Sequence, residues 1–111
     1  MGRRMRRFGQ VIRIKSDRIA EYEALHAAPW PGVLAAIARA NIRNYSIFRH
    51  GPTLFAYYEY IGDDYAADMA SIAADAETQR WWALTDAMQE PEPDRPAGAW
   101  WLDIPEVFHT D

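Results

Sequence analysis

The segment from Thr53 to Ile61 restricts the possible folds of this 111-residue chain more than any other part of the sequence. Nearly every side chain from Leu54 to Tyr60 is apolar or aromatic, so both faces of a strand formed here are hydrophobic. Helices can cover one face of such a strand. The chain has too few remaining elements to cover the other face, and we therefore predict a homodimer in which two sheets pack face to face.

Hydrophobic periodicity predicts the elements around this strand. Alternating apolar residues predict further strands, and apolar residues three and four positions apart predict helices. The resulting order is β-α-α-β-β-α-α-β, which indicates an α+β, ferredoxin-like sandwich with an antiparallel sheet. The predicted strands are 8–14, 42–49, 53–61 and 106–109, and the predicted helices are 19–28, 31–40, 63–74 and a segment from residue 75 or 77 that buries Trp81, Leu84 and Met88.

Polar and conformationally restricted residues predict where the first two helices begin and end. Ser16 or Asp17 is placed to cap the first helix. Because of Pro29, that helix is expected to end near Ala27 or Ala28. Pro31 is suited to open the second helix, and Asn41 is suited to close it in the left-handed conformation. A short connection that contains proline therefore separates the two helices.

The charge and the composition limit the partners and the location of the protein. The chain has a net charge of −4 and no cysteine, so we expect neither nucleic acid binding nor disulfide chemistry. Four arginines in the first seven residues are not followed by the apolar segment of a signal peptide, and no apolar run is long enough to span a membrane. We therefore expect a cytoplasmic protein in which a flexible basic N-terminus, residues 1–7, precedes one domain, residues 8–111.

Tyr22 and His26 are the strongest candidates for chemistry. They are four residues apart, so a helix places their side chains one above the other on a single face. His26 also lies in the last turn of that helix, where unpaired carbonyl groups favour a protonated imidazole. We therefore expect a histidine with a raised pKa that donates a proton near neutral pH. The alternative is that both residues are buried for packing alone.

The aromatic content points to a binding cleft or a subunit contact, since the chain has five tryptophans and six tyrosines. Trp81 and Trp82 are adjacent on a helix, where side chains point about 100° apart, so one of them is expected to line a cleft. Tyr45, with Asn44 beside it on a predicted strand, is either a third aromatic residue of the cleft or simply a good strand former.

Sequence motifs give no support for a metal or a cofactor. The three histidines lack the spacing of a metal site such as HExxH, and the chain has no GxGxxG, GxxxxGK[ST] or GxSxG motif. We therefore expect neither a metal nor a cofactor. Spacing and composition alone reach an aromatic-lined cleft with a candidate acid.

Four short motifs, in the same order and at similar spacing, resemble the L-rhamnose mutarotase family. They are Tyr22-x3-His26-x3-Trp30-Pro31, Asn44-Tyr45-Ser46-Ile47, Arg80-Trp81-Trp82 and Glu106-Val107-Phe108-His109, within a match that runs from Phe8 through nearly the whole chain. The resemblance implies a dimeric α/β barrel of ferredoxin-like protomers. It also implies a cofactor-free aldose mutarotase that interconverts the α and β anomers of a 6-deoxy-L-hexose, L-rhamnose or alternatively L-fucose.

The resemblance assigns roles to individual residues. The helix histidine of the family is the proton donor, which implies that role for His26. To the residues that bind the sugar in the family we add Asn44, because it lies beside the strand tyrosine. The residues expected to bind the sugar are therefore Tyr22, Tyr45, Trp81, Trp82 and Asn44.

The sequence departs from the family pattern at two places. Gly32 replaces the acidic residue that usually follows the Trp-Pro pair. The segment from Glu90 to Pro96, with Trp100 and Trp101 after it, replaces an Asn-Pro-Asp-Asn-Ser-Pro stretch. Barrels of this class also include cofactor-free monooxygenases and ligand-binding modules, which stay as alternatives because fold alone does not decide function.

Overall fold

The structure, a computed structural model, describes residues 5–111 of the chain. A short 3₁₀ turn, Ser16–Arg18, connects the first strand to the first helix. The strands and helices follow one another as β1 (Arg6–Ile14), α1 (Ile19–Ala27), α2 (Pro31–Arg39), β2 (Ile42–His50), β3 (Thr53–Tyr60), α3 (Tyr65–Ala74), α4 (Ala76–Met88), β4 (Gln89–Glu90) and β5 (Leu102–Ile104).

The strands form one antiparallel sheet with the order β2-β3-β1-β4, and β5 also pairs with β1. β1 and β3 run side by side from the pair Arg6 and Tyr60 to the pair Arg13 and Thr53. On its other side, β1 pairs with the two short strands β4 and β5. This strand order confirms the predicted α+β, ferredoxin-like arrangement.

The two faces of the sheet differ in burial. On β3, the side chains of Leu54, Ala56, Tyr58 and Tyr60 are buried beneath the helices, and we refer to this side as the inner face. Phe55 lies between them on the outer face and is 41% exposed. The helices therefore cover only one side of the strand that was expected to be covered on both.

Two groups of buried side chains form the core on the inner face. The first group joins β1 to α1 and to the end of α4 through Ile12, Tyr22 and Met88. The second group joins the other end of β3 to α3 through Tyr60 and Ile72. Tyr22 is thus part of the core and, as described below, also part of a cavity.

Most predicted helix boundaries agree with the structure. α1 ends at Ala27, and α2 starts at Pro31. Asn41 has φ of 65°, the left-handed conformation that was expected after α2. The predicted cap of α1 was wrong: Ser16 and Asp17 belong to the 3₁₀ turn, and Arg18 occupies the N-cap position.

The prediction for the last strand was also wrong. The strand is Leu102–Ile104, whereas residues 106–109 have no regular secondary structure in the single chain. Pro105 explains the early end, because it has no N–H group to continue a ladder of hydrogen bonds. Val107 and Phe108 are consequently 93% and 79% exposed.

Two further expectations need correction. β1 begins at Arg6, so Arg6 and Arg7 belong to the sheet and not to a basic tail, while residues 1–4 of that tail lie outside the described part. Leu84 is 42% exposed, although we expected it to be buried with Trp81 and Met88. The buried face of α4 follows the helical period through Thr78 and Thr85 instead.

The N-terminus of α2 is held by a carboxylate from α4. The backbone N–H of Gly32 donates to Oε2 of Glu77 at 2.9 Å. A Cβ atom at position 32 would lie 2.5 Å from the Glu77 carboxyl carbon, so only glycine leaves room for this contact. A negative charge is favourable at the positive end of a helix. Glu77 therefore supplies, from another helix, an acidic group next to the position where the family usually has one.

Candidate functional site

A cavity of about 670 Å³ lies between the inner face of the sheet and the helices. Pockets that bind small molecules typically have volumes of about 300–1,000 Å³. Apolar side chains from α2 and α3 line part of it, including Val33, Ile37 and Met69. Polar and aromatic side chains from α1, α4, the sheet and the segment after β4 also line it: Gln10, Tyr22, His26, Tyr45, Tyr58, Thr78, Trp81, Trp82, Thr85, Asp86, Gln89, Trp100 and Trp101.

Tyr22 and His26 form a stacked pair in this cavity. Their ring centroids are 4.1 Å apart and the ring planes differ by 25°. Nδ1 of His26 lies 2.9 Å from the backbone carbonyl oxygen of Tyr22. A carbonyl oxygen can only accept, so Nδ1 carries the hydrogen and donates it. In the neutral ring, Nε2 is therefore left with a free lone pair.

The pKa of His26 differs from the expected one. Burial lowers it below its ordinary value of about 6.5, and the hydrogen bond to the Tyr22 carbonyl only partly opposes this effect. We had predicted a pKa raised by the end of the helix, and that prediction was wrong. The ring contacts Tyr22 and Trp81, and its loss of hydration lowers the pKa by more than the hydrogen bond to the Tyr22 carbonyl raises it. At neutral pH the imidazole is uncharged and presents a proton acceptor.

Trp81 and Trp82 point in different directions, as adjacent helical positions require. Trp81 is only 7% exposed, and its ring makes a T-shaped contact with the ring of His26 at a centroid distance of 5.1 Å. Trp30, just before α2, makes a second T-shaped contact with Trp81, at a centroid distance of 5.2 Å. Trp82 also lines the cavity but is 41% exposed. One indole thus fixes the imidazole, and the other is available at the surface of the cavity.

The structure brings Tyr45 into the cavity but not Asn44. The Tyr45 ring lies 5.5 Å from that of Tyr58, and burial of its hydroxyl raises the pKa of Tyr45 to about 12. The residue as a whole is 42% exposed, so the raised pKa reflects the position of the hydroxyl group and not that of the ring. Asn44 has φ of 51° at an irregularity of β2, and its amide donates to Glu59 at 2.7 Å.

Gln89 is a residue of the site that the sequence did not reveal, and it contacts Trp100, whose segment the sequence placed near either the pocket or the dimer contact. Nε1 of Trp100 donates to Oε1 of Gln89 at 2.8 Å, and Nε2 of Gln89 donates to the hydroxyl oxygen of Tyr22 at 3.3 Å. Gln89 is 5% exposed and Tyr22 is 3% exposed. A glutamine after a helix has no distinctive spacing, so only the folded chain shows the connection. Thr85, by contrast, was detectable, because it lies one turn after Trp81 on the same helical face.

The segment between β4 and β5 is folded back on itself by Arg95. Its Nε donates to the carbonyl oxygen of Ala99 at 2.8 Å, and its Nη1 donates to that of Glu92 at 3.1 Å. Gly98 has φ of 84°, a conformation that favours glycine. These contacts deliver Trp100 and Trp101 to the cavity wall.

Within residues 5–111, no three or more histidine, aspartate or glutamate side chains cluster in a way that would hold a metal ion. No helix in the same part of the chain has the length and apolar character needed to cross a membrane. In this described part, the polar groups that line the cavity are three phenols, two amides, two threonine hydroxyl groups, one carboxyl group and one imidazole.

The fold and the cavity define an α+β protein with an enzyme-like site for a small polar ring compound, in which an imidazole and phenols face aromatic walls. Comparisons with known proteins agree with this class. A family described as L-rhamnose mutarotase matches residues 7–110. The chain belongs to the L-rhamnose mutarotase family, whose members are carbohydrate isomerases, and this confirms the resemblance found in the sequence.

Individual relatives support the same assignment. An L-rhamnose mutarotase of Opitutus terrae is 38% identical over 104 residues, covering 91% of this chain and 94% of the relative. An L-rhamnose mutarotase of Bacteroides thetaiotaomicron is 31% identical, covering 96% and 100%. An L-fucose mutarotase of Xanthomonas campestris pv. campestris is 34% identical, covering 94% and 87%. The crystal structure of an L-rhamnose mutarotase from Formosa agariphila matches 96% of this chain and 99% of that chain with a TM-score of 0.72 at 21% identity, which supports the fold.

Proposed function

We propose that the protein is a cytoplasmic homodimer that interconverts the α and β anomers of a 6-deoxy-L-hexose, with L-rhamnose as the first candidate and L-fucose as the second. The observation that carries this proposal is the stacked pair of Tyr22 and His26, in which Nδ1 is held by a carbonyl and Nε2 keeps its lone pair. Membership of the L-rhamnose mutarotase family supports this reaction class over a monooxygenase or a ligand-binding module.

Mutarotation needs a base for the anomeric hydroxyl group and an acid for the ring oxygen. Nε2 of His26 takes the proton of the hydroxyl group on C1, and a neutral phenol gives a proton to the ring oxygen. The C1–O5 bond then breaks and leaves an open-chain aldehyde. Rotation about C1–C2 exposes the other face of the aldehyde. On ring closure the imidazolium gives its proton to the new hydroxyl group on C1, and the hydroxyl group on C5 returns its proton to the phenolate. A positioned acid or base typically contributes about 10²–10⁴ in rate.

Tyr22 and Tyr45 are the phenols that we assign to sugar binding and to the second proton. Burial raises the pKa of both hydroxyl groups above the ordinary value, so both are protonated at neutral pH. A protonated phenol can donate to a sugar oxygen, whereas a phenolate cannot. The structure therefore supports a neutral acid beside a neutral base.

The walls of the cavity suit a deoxy sugar. Indole rings provide flat apolar surfaces for the C–H face of a pyranose, a role that we propose for Trp81 and Trp82. Val33, Ile37 and Met69 provide an aliphatic surface that a methyl group contacts favourably. A hydroxymethyl group against the same surface would lose hydrogen bonds to water without replacement.

The dimer that we propose uses the outer face of the sheet. Strand pairing places Phe48, Phe55, Val11 and Leu102 side by side across four strands, and we refer to these residues as the outer apolar row. Phe48 and Phe55 are 65% and 41% exposed in the single chain. Exposed apolar surface of this extent typically marks an interface. A second copy of the sheet has the matching shape and chemistry.

The C-terminal segment extends the same surface. Glu106 binds Arg7 of β1 with two hydrogen bonds, at 2.7 and 3.3 Å, and this contact holds the segment beside the sheet. Val107 and Phe108 then project from it and are 93% and 79% exposed. We propose that these two side chains pack on the partner subunit of the homodimer.

Anomer exchange measured on a panel of sugars tests the proposed function. In saturation-transfer NMR, the protein is expected to accelerate α/β exchange of L-rhamnose and L-fucose and to act much more weakly on L-mannose, which differs from L-rhamnose by a hydroxyl group on C6. The difference in kcat/KM is expected to be about 10–200-fold, the usual effect of a small group in an apolar pocket. Exchange at the uncatalysed rate with every sugar would refute the proposal.

The dependence of the rate on pH distinguishes a base from an acid at His26. The pKa of His26 is lowered, so the free lone pair is present at neutral pH and is lost as the pH falls through that pKa. We expect kcat/KM, corrected for uncatalysed exchange, to rise with pH at acidic values and to level off before pH 7. A rate that increases as the pH falls would restore the role of proton donor that the sequence suggested.

A further inference from the structure

We infer that Gln89 is a positioning residue for the reaction: held by Trp100, it directs an N–H group at the phenol oxygen of Tyr22 and makes Tyr22 the proton donor to the ring oxygen. The inference rests on the proposed function and deepens it, because that proposal leaves open which phenol supplies the second proton. It also assigns a function to Trp100, which follows the segment in which this chain departs from the pattern of its family.

The orientation of the Gln89 amide follows from the chemistry of its neighbour. An indole N–H is a donor and has no acceptor atom, so the group 2.8 Å from Nε1 of Trp100 must be the amide oxygen. The amide nitrogen then faces the hydroxyl group of Tyr22, 3.3 Å away, and donates to its oxygen. The phenol oxygen is an acceptor in this bond, and the phenol proton stays available for a ligand.

Burial gives this arrangement its effect. Gln89 is 5% exposed and Tyr22 is 3% exposed, so water does not readily replace a lost hydrogen bond between them. A buried amide needs partners for both of its ends, and Gln89 has them in Trp100 and Tyr22. Turning the amide over would place two donors, the amide N–H and the indole N–H, against each other. The amide is therefore fixed in one orientation.

The direction of this hydrogen bond matches the charge that develops during ring opening. The O–H bond of Tyr22 breaks while an O–H bond forms at the ring oxygen, which keeps the electron pair of the C1–O5 bond. Negative charge then accumulates on the phenol oxygen, where the N–H of Gln89 already points, and a preorganised donor stabilises such a charge. His26, stacked on Tyr22 at 4.1 Å, takes the proton from the hydroxyl group on C1. Ring closure reverses both transfers.

The hydrogen bond from Gln89 also affects the pKa of Tyr22. Burial raises this pKa, and the hydrogen bond from Gln89 lowers it. The same contact that leaves the proton free thus also eases its departure. Trp100 acts indirectly, by holding Gln89. The contacts of Arg95 with its own segment in turn hold the indole in place.

Substitutions of Gln89 test the inference through the split between kcat and KM. In Gln89→Glu, a carboxylate of the same shape accepts from both neighbours, so the Tyr22 proton turns toward it and its departure is opposed. We expect kcat to fall by about 10²-fold and KM to change by less than about threefold. Gln89→Met removes the donor without adding charge, and we expect a smaller loss of about tenfold in kcat. Trp100→Phe frees the amide to turn over, and we expect a partial loss in kcat.

Controls separate this inference from the proposed function. Wild-type protein that fails to catalyse exchange refutes the proposed function, independently of Gln89. With active wild type, Gln89→Glu at the wild-type kcat, or a loss that appears only in KM, overturns the inference. Gln79→Met is the matched control and is expected to keep wild-type rates. Gln79 is an exposed glutamine of α4, and the side-chain hydrogen bond described for it goes to the backbone carbonyl oxygen of Ala73, at 2.7 Å.

A measurement that does not depend on catalysis completes the test. In ¹⁵N-labelled protein, the indole N–H of Trp100 is expected to exchange with water more slowly in the wild type than in Gln89→Met, because the substitution removes its acceptor. Equal exchange rates in the two folded proteins would overturn the inference. If Gln89→Met fails to fold, the same comparison of kcat and KM in Trp100→Phe decides.

Discussion

Replacing His26 with alanine is expected to lower the catalysed anomer exchange of L-rhamnose by about 10²–10⁴-fold without unfolding the protein. The imidazole is the only nitrogen base among the described residues that line the cavity, and its lowered pKa leaves it uncharged at neutral pH. Its loss leaves the phenols without a partner for the second proton. The ring is only partly buried, so the fold loses less than it would from an alanine in the centre of the core.

His50→Ala is the matched control for this experiment. His50 is exposed at the end of β2, before the turn to β3, and does not line the cavity. Saturation-transfer NMR on both variants, with circular dichroism to confirm folding, gives the comparison. Unchanged exchange in His26→Ala would remove the imidazole from the mechanism, and an equal loss in His50→Ala would mean that the effect is not specific.

Replacing Phe55 with aspartate is expected to convert the proposed homodimer into a monomer. Phe55 lies in the middle of the outer apolar row, between Phe48 and Val11. In a face-to-face dimer the substitution buries one carboxylate from each copy, and an unpaired buried charge costs several kcal/mol. The dissociation constant of the dimer is therefore expected to rise by at least about 10³-fold.

Leu84→Asp provides the control for charge insertion at an exposed apolar residue. Leu84 is 42% exposed on α4, nearly the same as Phe55 at 41%, but it belongs to a helix and not to the sheet. Light scattering after size-exclusion chromatography is expected to give a dimer for the wild type and Leu84→Asp and a monomer for Phe55→Asp. A wild-type monomer, or a dimer that persists in Phe55→Asp, would refute the interface.

The parts of the fold that were predictable from the sequence are those set by local chemistry. Pro31 starts a helix because its missing N–H group costs nothing there, and Asn41 tolerates the left-handed conformation that ends that helix. The alternation of β1, in which Ile12 and Ile14 are buried, and the spacing of Tyr22 and His26 likewise depend only on the periods of strand and helix. Such features require no knowledge of distant contacts.

The errors come from effects that depend on the folded environment. The pKa of His26 was assigned from its place at the end of a helix, but desolvation by the surrounding rings has the larger effect. The last strand was placed at residues 106–109 from their apolar character, whereas Leu102 and Ile104 lie opposite Val11 and Gly9. Gln89 joins Tyr22, near the start of the chain, to Trp100, near its end, and no sequence period encodes such a connection.

The contacts of Arg95 have a consequence for ligand affinity. Because its guanidinium group bridges the carbonyl groups of Glu92 and Ala99, the conformational entropy of this segment is lost when the chain folds. A sugar that enters later meets Trp100 already immobilised, and its binding free energy is not reduced by a disorder-to-order transition. A monosaccharide makes few contacts, so this rigidity matters more for it than for a larger ligand.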